Sequence, residues 1–209
     1  PIRELADLDG RRITVWETDF RAPYLAVFAK HGVRPDILPQ YNTFSLFLHR
    51  GADAFAGMRY NEYHTLLQSG VAEDEVQAFA LRDHGANLPE DGIYCLETTW
   101  QRRPQVCRAF VRASLEGWRY AQARPEETLD VVMEYVNREN LPTNRPHMRW
   151  MLKEMLASIF PGADDDWTEG RLSPAAYGRT VEILTRHAGL ASAPQYADLV
   201  VEGGTDESR

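Results

Sequence analysis

The chain has 209 residues and a formal net charge of −8. That length suits one sizeable core or two small lobes sharing a hinge, and the acidic balance speaks against nucleic acid or an anionic membrane surface as a partner. No run of about 20 apolar residues occurs, so no segment reads as a membrane-spanning helix.

The first elements alternate. A short turn or helical prelude over 2–10 leads to a β-branched strand over 13–16, Ile-Thr-Val-Trp. After a loop over 17–21, Pro23 suits the first turn of a helix carrying Tyr24, Leu25, Val27 and Phe28, and Gly32 supplies its left-handed stop. A strand over 36–40 tolerates Pro39, and Asn42 or Thr43 caps a helix with Phe44, Phe47 and Leu48 before Gly51. The run 54–58 then reads as a buried strand, followed by a helix with Tyr63, Leu66 and Leu67 facing inward. This β-α-β-α-β-α order implies a largely parallel sheet flanked by helices.

Strands are also expected over 76–81 and 93–96, on either side of a turn at 88–92. From Thr98 the pattern becomes helical: 104–123 at amphipathic spacing, 125 to 135 or 140, 146–160, and 174–187 closed by Gly189. The expected organisation is a hinge segment over 1–10, an α/β ligand-binding lobe over 11–97, a helical part over 98–200 and a flexible tail over 201–209.

If the first three strands are parallel, their trailing loops converge and bring together Trp16, Glu17, Asp19, Tyr41, Tyr60, Asn61 and Glu62. Aromatic faces stack on a flat heterocycle, and carboxylates accept hydrogen bonds from ring amino groups. Helix amino termini at the same edge favour anions instead. Asn61 and Glu62 also have a purely local reading, as a helix cap and a dipole partner. A Glu62–His64 dyad meets the objection that residues two apart point to different helix faces.

The other histidines read as helix-end or surface residues: His31 and His49 at helix carboxyl ends, His84, His147 and His187 at the surface or as caps. Asp164, Asp165 and Asp166 lack the glycine and terminal glutamate of a calcium loop. Cys95, in an expected strand, and Cys107, in an expected helix, read as small core residues that could pair only if their carbon frames meet. Lysine occurs only at 30 and 153, which leaves few candidates for Schiff-base chemistry. No nucleophile elbow, phosphate loop or dinucleotide fingerprint occurs, so no catalytic residue, metal ligand or cofactor is assigned.

The residues Asp7-Leu8-Asp9-Gly10-Arg11-Arg12-Ile13 resemble an opening segment of periplasmic solute-binding proteins, and Tyr60-Asn61-Glu62 after Gly51-Ala52-Asp53-Ala54 resembles their "yNE" motif. Stretches 81–85, 88–94, 108–113 and Gly117-Trp118 are similar to the thiamine-pyrimidine-precursor branch, ABC-transporter binding proteins related to the fungal enzyme that makes the thiamine pyrimidine.

The resemblance implies a type II periplasmic-binding fold, two α/β lobes closing on a ligand. It gives Tyr60 and Glu62 the grip on an aminopyrimidine and Asn61 the shaping of the turn. It further implies ABC-transporter membrane subunits as partners and a periplasmic or membrane-anchored extracytoplasmic place. No leader pattern is visible at the start of the chain. On the family pattern roughly a hundred further residues precede the opening segment, so the first lobe is expected to be incomplete. Apolar surface without cover is expected to follow, with another chain or a missing segment associating wherever helices 146–160 and 174–188 would have packed. Two alternatives share the fold: a pyrimidine synthase consuming pyridoxal phosphate, and a ligand-sensing module.

Overall fold

Three short strands form the sheet: β1 (Arg12–Trp16), β2 (Asp36–Gln40) and β3 (Ala54–Phe55), in the order β2-β1-β3 with both pairings parallel. The computed structural model describes residues 1–17, 20–162 and 170–201; Asp19, Asp164, Asp165, Asp166 and the tail beyond Val201 lie outside the described residues. The molecule is mixed α/β with a small parallel sheet and a helical carboxyl-terminal half.

The central strand is buried on both faces, with Ile13, Thr14 and Val15 each almost fully covered. Pro39 is tolerated because β2 is an edge strand, with β1 as its one neighbour in the sheet. Between β1 and β2 runs α1 (Arg21–His31), which Gly32 ends at φ +66°, a conformation cheap only for a residue without Cβ.

The helix predicted after β2 shrinks to a single turn, α2 (Ser45–Leu48), because Arg50 turns left-handed at φ +58° immediately after it. Thr43, rather than Asn42, braces its start: the Thr43 hydroxyl accepts the Ser45 N–H at 3.1 Å. Phe44 and Phe47 of this turn pack on the Phe55 ring at 5.1 and 5.0 Å.

The chain divides into two compact units, 1–89 with 174–193, and 90–173 with 194–209. In the first, Leu5, Leu8, Ile13, Val15, Val27, Phe28 and Val33 form the core, and the distant helix α8 (Pro174–His187) packs on α1 with Ile183 against that core. The aspartates of the opening segment are structural. Asp7 accepts the Arg3 and Glu4 N–H groups at 2.8 and 3.1 Å, Asp9 accepts the Arg34 N–H at 2.7 Å, and Asp53 accepts the Arg12 N–H at 2.9 Å.

The second unit is built from α4 (Glu97–Arg102), α5 (Pro104–Ala123), α6 (Pro125–Arg138), α7 (Arg145–Ile159) and α9 (Tyr196–Leu199). Proline stands in the first turn of α5, α6 and α7, and the residue before Pro104 and Pro125 is non-helical.

Two predicted strands are absent. Residues 76–80 form no strand and Leu81 opens a 3-10 turn (Leu81–His84); Val76, Phe79 and Leu81 are half-buried, and Phe79 and Leu81 touch the core, so the apolar spacing records one-sided burial without a ladder. Residues 93–96 lead into α4 as irregular chain, with Ile93, Tyr94 and Leu96 exposed. The strand over 54–58 stops at Phe55. Among the described residues, the exposed large apolar side chains of the helical half sit at 93–96, on α5 and α6, and at Leu141, Leu199 and Val201, while α8 covers α1. His147, expected at the surface or as a cap, is buried in the first turn of α7. Cys95 is exposed rather than core.

Candidate functional site

Parallel pairing sends every strand out through the same edge of the sheet, so the loops after β1, β2 and β3 share one side. Trp16 ends β1 and pairs in register with Gln40, the last residue of β2. Its ring is half-buried and meets Phe20 and Tyr24 edge-on at 6.0 and 6.3 Å, so Trp16 belongs as much to the core margin as to the edge. Glu17 follows it, exposed, and Tyr41 projects 70 % exposed after β2.

The stretch after β3 is the most tightly built part of this edge. Ala56 donates its N–H to the Thr14 carbonyl at 2.8 Å, and Gly57 then lets the chain turn closely. A Cβ at Gly57 would stand 3.0 Å from the Phe55 ring and 3.2 Å from the Glu62 Cβ. Residues Arg59–Tyr63 form a π-helical turn closed by the Tyr63 N–H on the Met58 carbonyl at 3.2 Å, and α3 (His64–Gln68) continues from it with Leu66 fully buried. Such turns are rare and recur at functional sites.

Glu62 is held by this turn. Its Oε2 accepts the Met58 N–H at 2.8 Å and its Oε1 accepts the Asn61 side-chain amide at 3.0 Å. Glu62 therefore caps the turn at the Met58 N–H, and the Asn61 amide braces that carboxylate rather than the helix start. A carboxylate offers about four acceptor positions, so two bonds fix its orientation and leave two for other donors. Tyr60, Asn61 and Glu62 are all half-buried, and the Arg59 guanidinium lies 5.3 Å from the Tyr63 ring centre. For the Glu62–His64 dyad there is no electrostatic sign. Partial burial alone lowers the His64 pKa from 6.5, whereas a facing carboxylate would raise it.

Two residues were not singled out from the sequence. Gln40 is buried: its Oε1 accepts the Thr14 hydroxyl at 2.7 Å and its Nε2 donates to the Ala56 carbonyl at 2.6 Å, tying the ends of all three strands. A strand-ending glutamine carries no such signal, because the partners come from strands 26 and 16 residues away. Arg21, in the first turn of α1, has a buried Nε without a hydrogen-bond partner among the described residues. A buried unmet donor at the rim of a site is a place where a ligand acceptor gains most.

Among the described residues no three histidine, cysteine or acidic side chains cluster as metal ligands. A shallow, open concavity of about 240 Å³, lined by Thr98, Thr99, Arg102 and Arg103, belongs to the unit of 90–173 and contains none of the site residues above.

Comparison with known proteins places this edge in context. Residues 1–128 match the profile of a family described as NMT1/THI5 like, and β1 to α3 lie within the match. The chain is also similar to a riboflavin-binding protein, RibY, of Chloroflexus aurantiacus: 27% identical over 200 residues, covering 93% of this chain and 55% of that protein. The chain thus spans about half the length of the curated relative it matches.

Proposed function

The chain belongs to the NMT1/THI5-like family, and from that premise we propose that it is the solute-binding component of an ABC importer, gripping a small aminopyrimidine or a similar flat heterocycle at the carboxyl-terminal edge of its sheet. The observation that carries the reading is the Glu62 carboxylate, half-buried and oriented by the Met58 N–H and the Asn61 amide before any ligand arrives. A preoriented carboxylate accepts ring amino donors with little reorganisation, each charged hydrogen bond contributing about 1.5 to 3 kcal/mol.

Tyr60 and Trp16 supply aromatic faces, Asn61 fixes the turn, and Glu17 and Tyr41 line the rim. A type II periplasmic-binding architecture, with a second lobe completing the clamp, an extracytoplasmic place and membrane subunits as partners, goes with this reading.

The lysines favour binding over the synthase alternative. Lys30 stands in the last turn of α1, roughly 14 Å along the helix from the end that meets the sheet's carboxyl edge, and its Nζ donates to the His84 carbonyl at 2.8 Å. Lys153 lies 5.6 Å from the Trp150 ring centre on α7.

The name of the Chloroflexus relative favours one other ligand, the larger ring system of riboflavin. Calorimetric titration of the protein with the aminopyrimidine precursor of thiamine and with riboflavin tests both. Stoichiometric binding of the aminopyrimidine, weakened about tenfold or more in Glu62→Ala, is expected. Unchanged affinity in that variant removes Glu62 from the site, and binding of riboflavin alone transfers the proposal to that ligand.

A further inference from the structure

Cys95 and Cys107 have no place in the ligand-binding reading. Both belong to the unit of 90–173, and their sulfur atoms stand 4.0 Å apart. Cys95 is exposed and Cys107 half-exposed. Between them in sequence lies the short helix α4, so the chain has doubled back to bring the two thiols together.

The two backbones differ in freedom. Cys107 is the fourth residue of α5 and is held in its first turn, its N–H on the Arg103 carbonyl at 3.3 Å. Cys95 sits in residues 86–96, which adopt neither helix nor strand and include Asp91 at φ +56°. A disulfide needs sulfur atoms about 2 Å apart. The remaining approach is within reach of side-chain rotation and a small shift of the irregular segment, and no strand ladder has to break.

A metal clip is the competing use of two neighbouring thiols. It lacks support, since no third ligand joins them among the described residues.

We propose that Cys95 and Cys107 are a covalent cross-linking site, closing an intramolecular disulfide that ties residues 90–96 to the start of α5. The oxidant is a disulfide-bearing molecule, either a small-molecule disulfide or an oxidoreductase. One cysteine thiolate attacks a sulfur of that disulfide, forming a mixed disulfide and releasing one donor thiolate. The second cysteine thiolate then attacks the protein-side sulfur, forming the Cys95–Cys107 bond and releasing the other donor thiolate. Two protein thiols lose two protons and two electrons, and the donor disulfide is reduced to two thiols.

The Cys95 thiol is pushed above its ordinary value by desolvation and by the Cys107 thiol beside it, so the reaction accelerates as pH rises. The closed ring would hold the exposed Ile93, Tyr94 and Leu96 beside α5.

The test is oxidation of the reduced protein with glutathione disulfide, followed by intact mass and non-reducing tryptic digestion. Trypsin leaves Cys95 in peptide 83–102 and Cys107 in peptide 103–108, because the Arg103–Pro104 bond resists cleavage. The expected result is a monomer lighter by two hydrogen atoms, with the two peptides joined and released by reduction. Cys95→Ser and Cys107→Ser should each instead accumulate one glutathione adduct. A wild-type protein that stops at glutathione adducts on both cysteines, or that links only between chains, overturns the proposal.

Discussion

The two units solve the same problem of burial in opposite ways. In the unit of 1–89 with 174–193, a short parallel sheet lets Ile13, Val15, Val27 and Phe28 meet from both sides of one core. In the other unit, Ala121, Leu129 and Val136 are the buried apolar residues among those described, while Ile93, Tyr94, Leu96, Val106, Phe110, Val131 and Tyr135 stay exposed. A central strand is covered on both faces, whereas an amphipathic helix in a thin layer covers one stripe and relies on neighbours for the rest. What the helical unit lacks in core it partly replaces with surface charge: Arg149 clamps Glu126 through two bonds at 2.9 and 2.8 Å, and Arg145 bridges Glu126 and Asp130 at 2.9 and 2.6 Å, tying α7 to α6.

Core truncations test that contrast most strongly. Leu66→Ala, at a site with no exposed surface, should cost about 3 to 4 kcal/mol by urea unfolding, and Leu129→Ala about 2 kcal/mol, because the thinner helical layer can close over the gap. Equal costs would mean that the second unit is as rigidly packed as the first.

Next comes the buried glutamine. Gln40→Met leaves the Thr14 hydroxyl and the Ala56 carbonyl unpaired in the interior, and a loss of about 2 kcal/mol is expected. A loss below about 0.5 kcal/mol would show that water or repacking satisfies both groups. Glu62→Ala should be milder, about 1 kcal/mol, since it frees one backbone N–H and one half-buried amide. On the proposed function, its larger effect falls on ligand affinity.

The surface charge of the helical unit should matter least, and its contribution should vary only over a narrow acid range. Hydrogen bonds from Arg149 and then Arg145 hold the Glu126 carboxyl down at about 2, against its ordinary 4.5. A folded pKa below the unfolded one means that the contribution is complete above pH 4.5 and fades as pH falls toward about 2. Acid titration followed by circular dichroism, with and without Glu126→Gln, should show the variant losing that sensitivity, and added salt should shrink the difference. A variant with the wild-type acid profile would remove the cluster from the account of how α6 and α7 stay together.

Several elements of both units were readable in the sequence. β2 appears at its predicted bounds, Gly32 stops α1 as expected, and α5 runs from Pro104 to Ala123 as predicted. These features depend on residues within a few positions of each other, through proline, glycine and helical spacing. The strands expected over 76–81 and 93–96 failed for the converse reason. A strand exists only when a second strand offers its edge, and the apolar runs there record partial burial in one case and open exposure in the other. In the candidate site, the sequence placed Tyr60, Asn61 and Glu62 in the turn after β3, yet it carried no sign of buried Gln40 or of the Arg21 Nε that has no partner among the described residues. Helix α4 was missed because its six residues are too few for a periodic pattern to emerge.

By itself, then, the sequence determined the alternation of the first half, the proline-marked starts of α5, α6 and α7, and the family, since each is written in neighbouring residues or contiguous motifs. Tertiary structure decided the rest. It set the order β2-β1-β3, brought α8 back onto α1, turned Glu62 toward the Met58 N–H, and set the sulfurs of Cys95 and Cys107 4.0 Å apart. The physical reason is that each of these depends on where the folded backbone carries groups once its ends have met, and spacing along the chain does not contain that information.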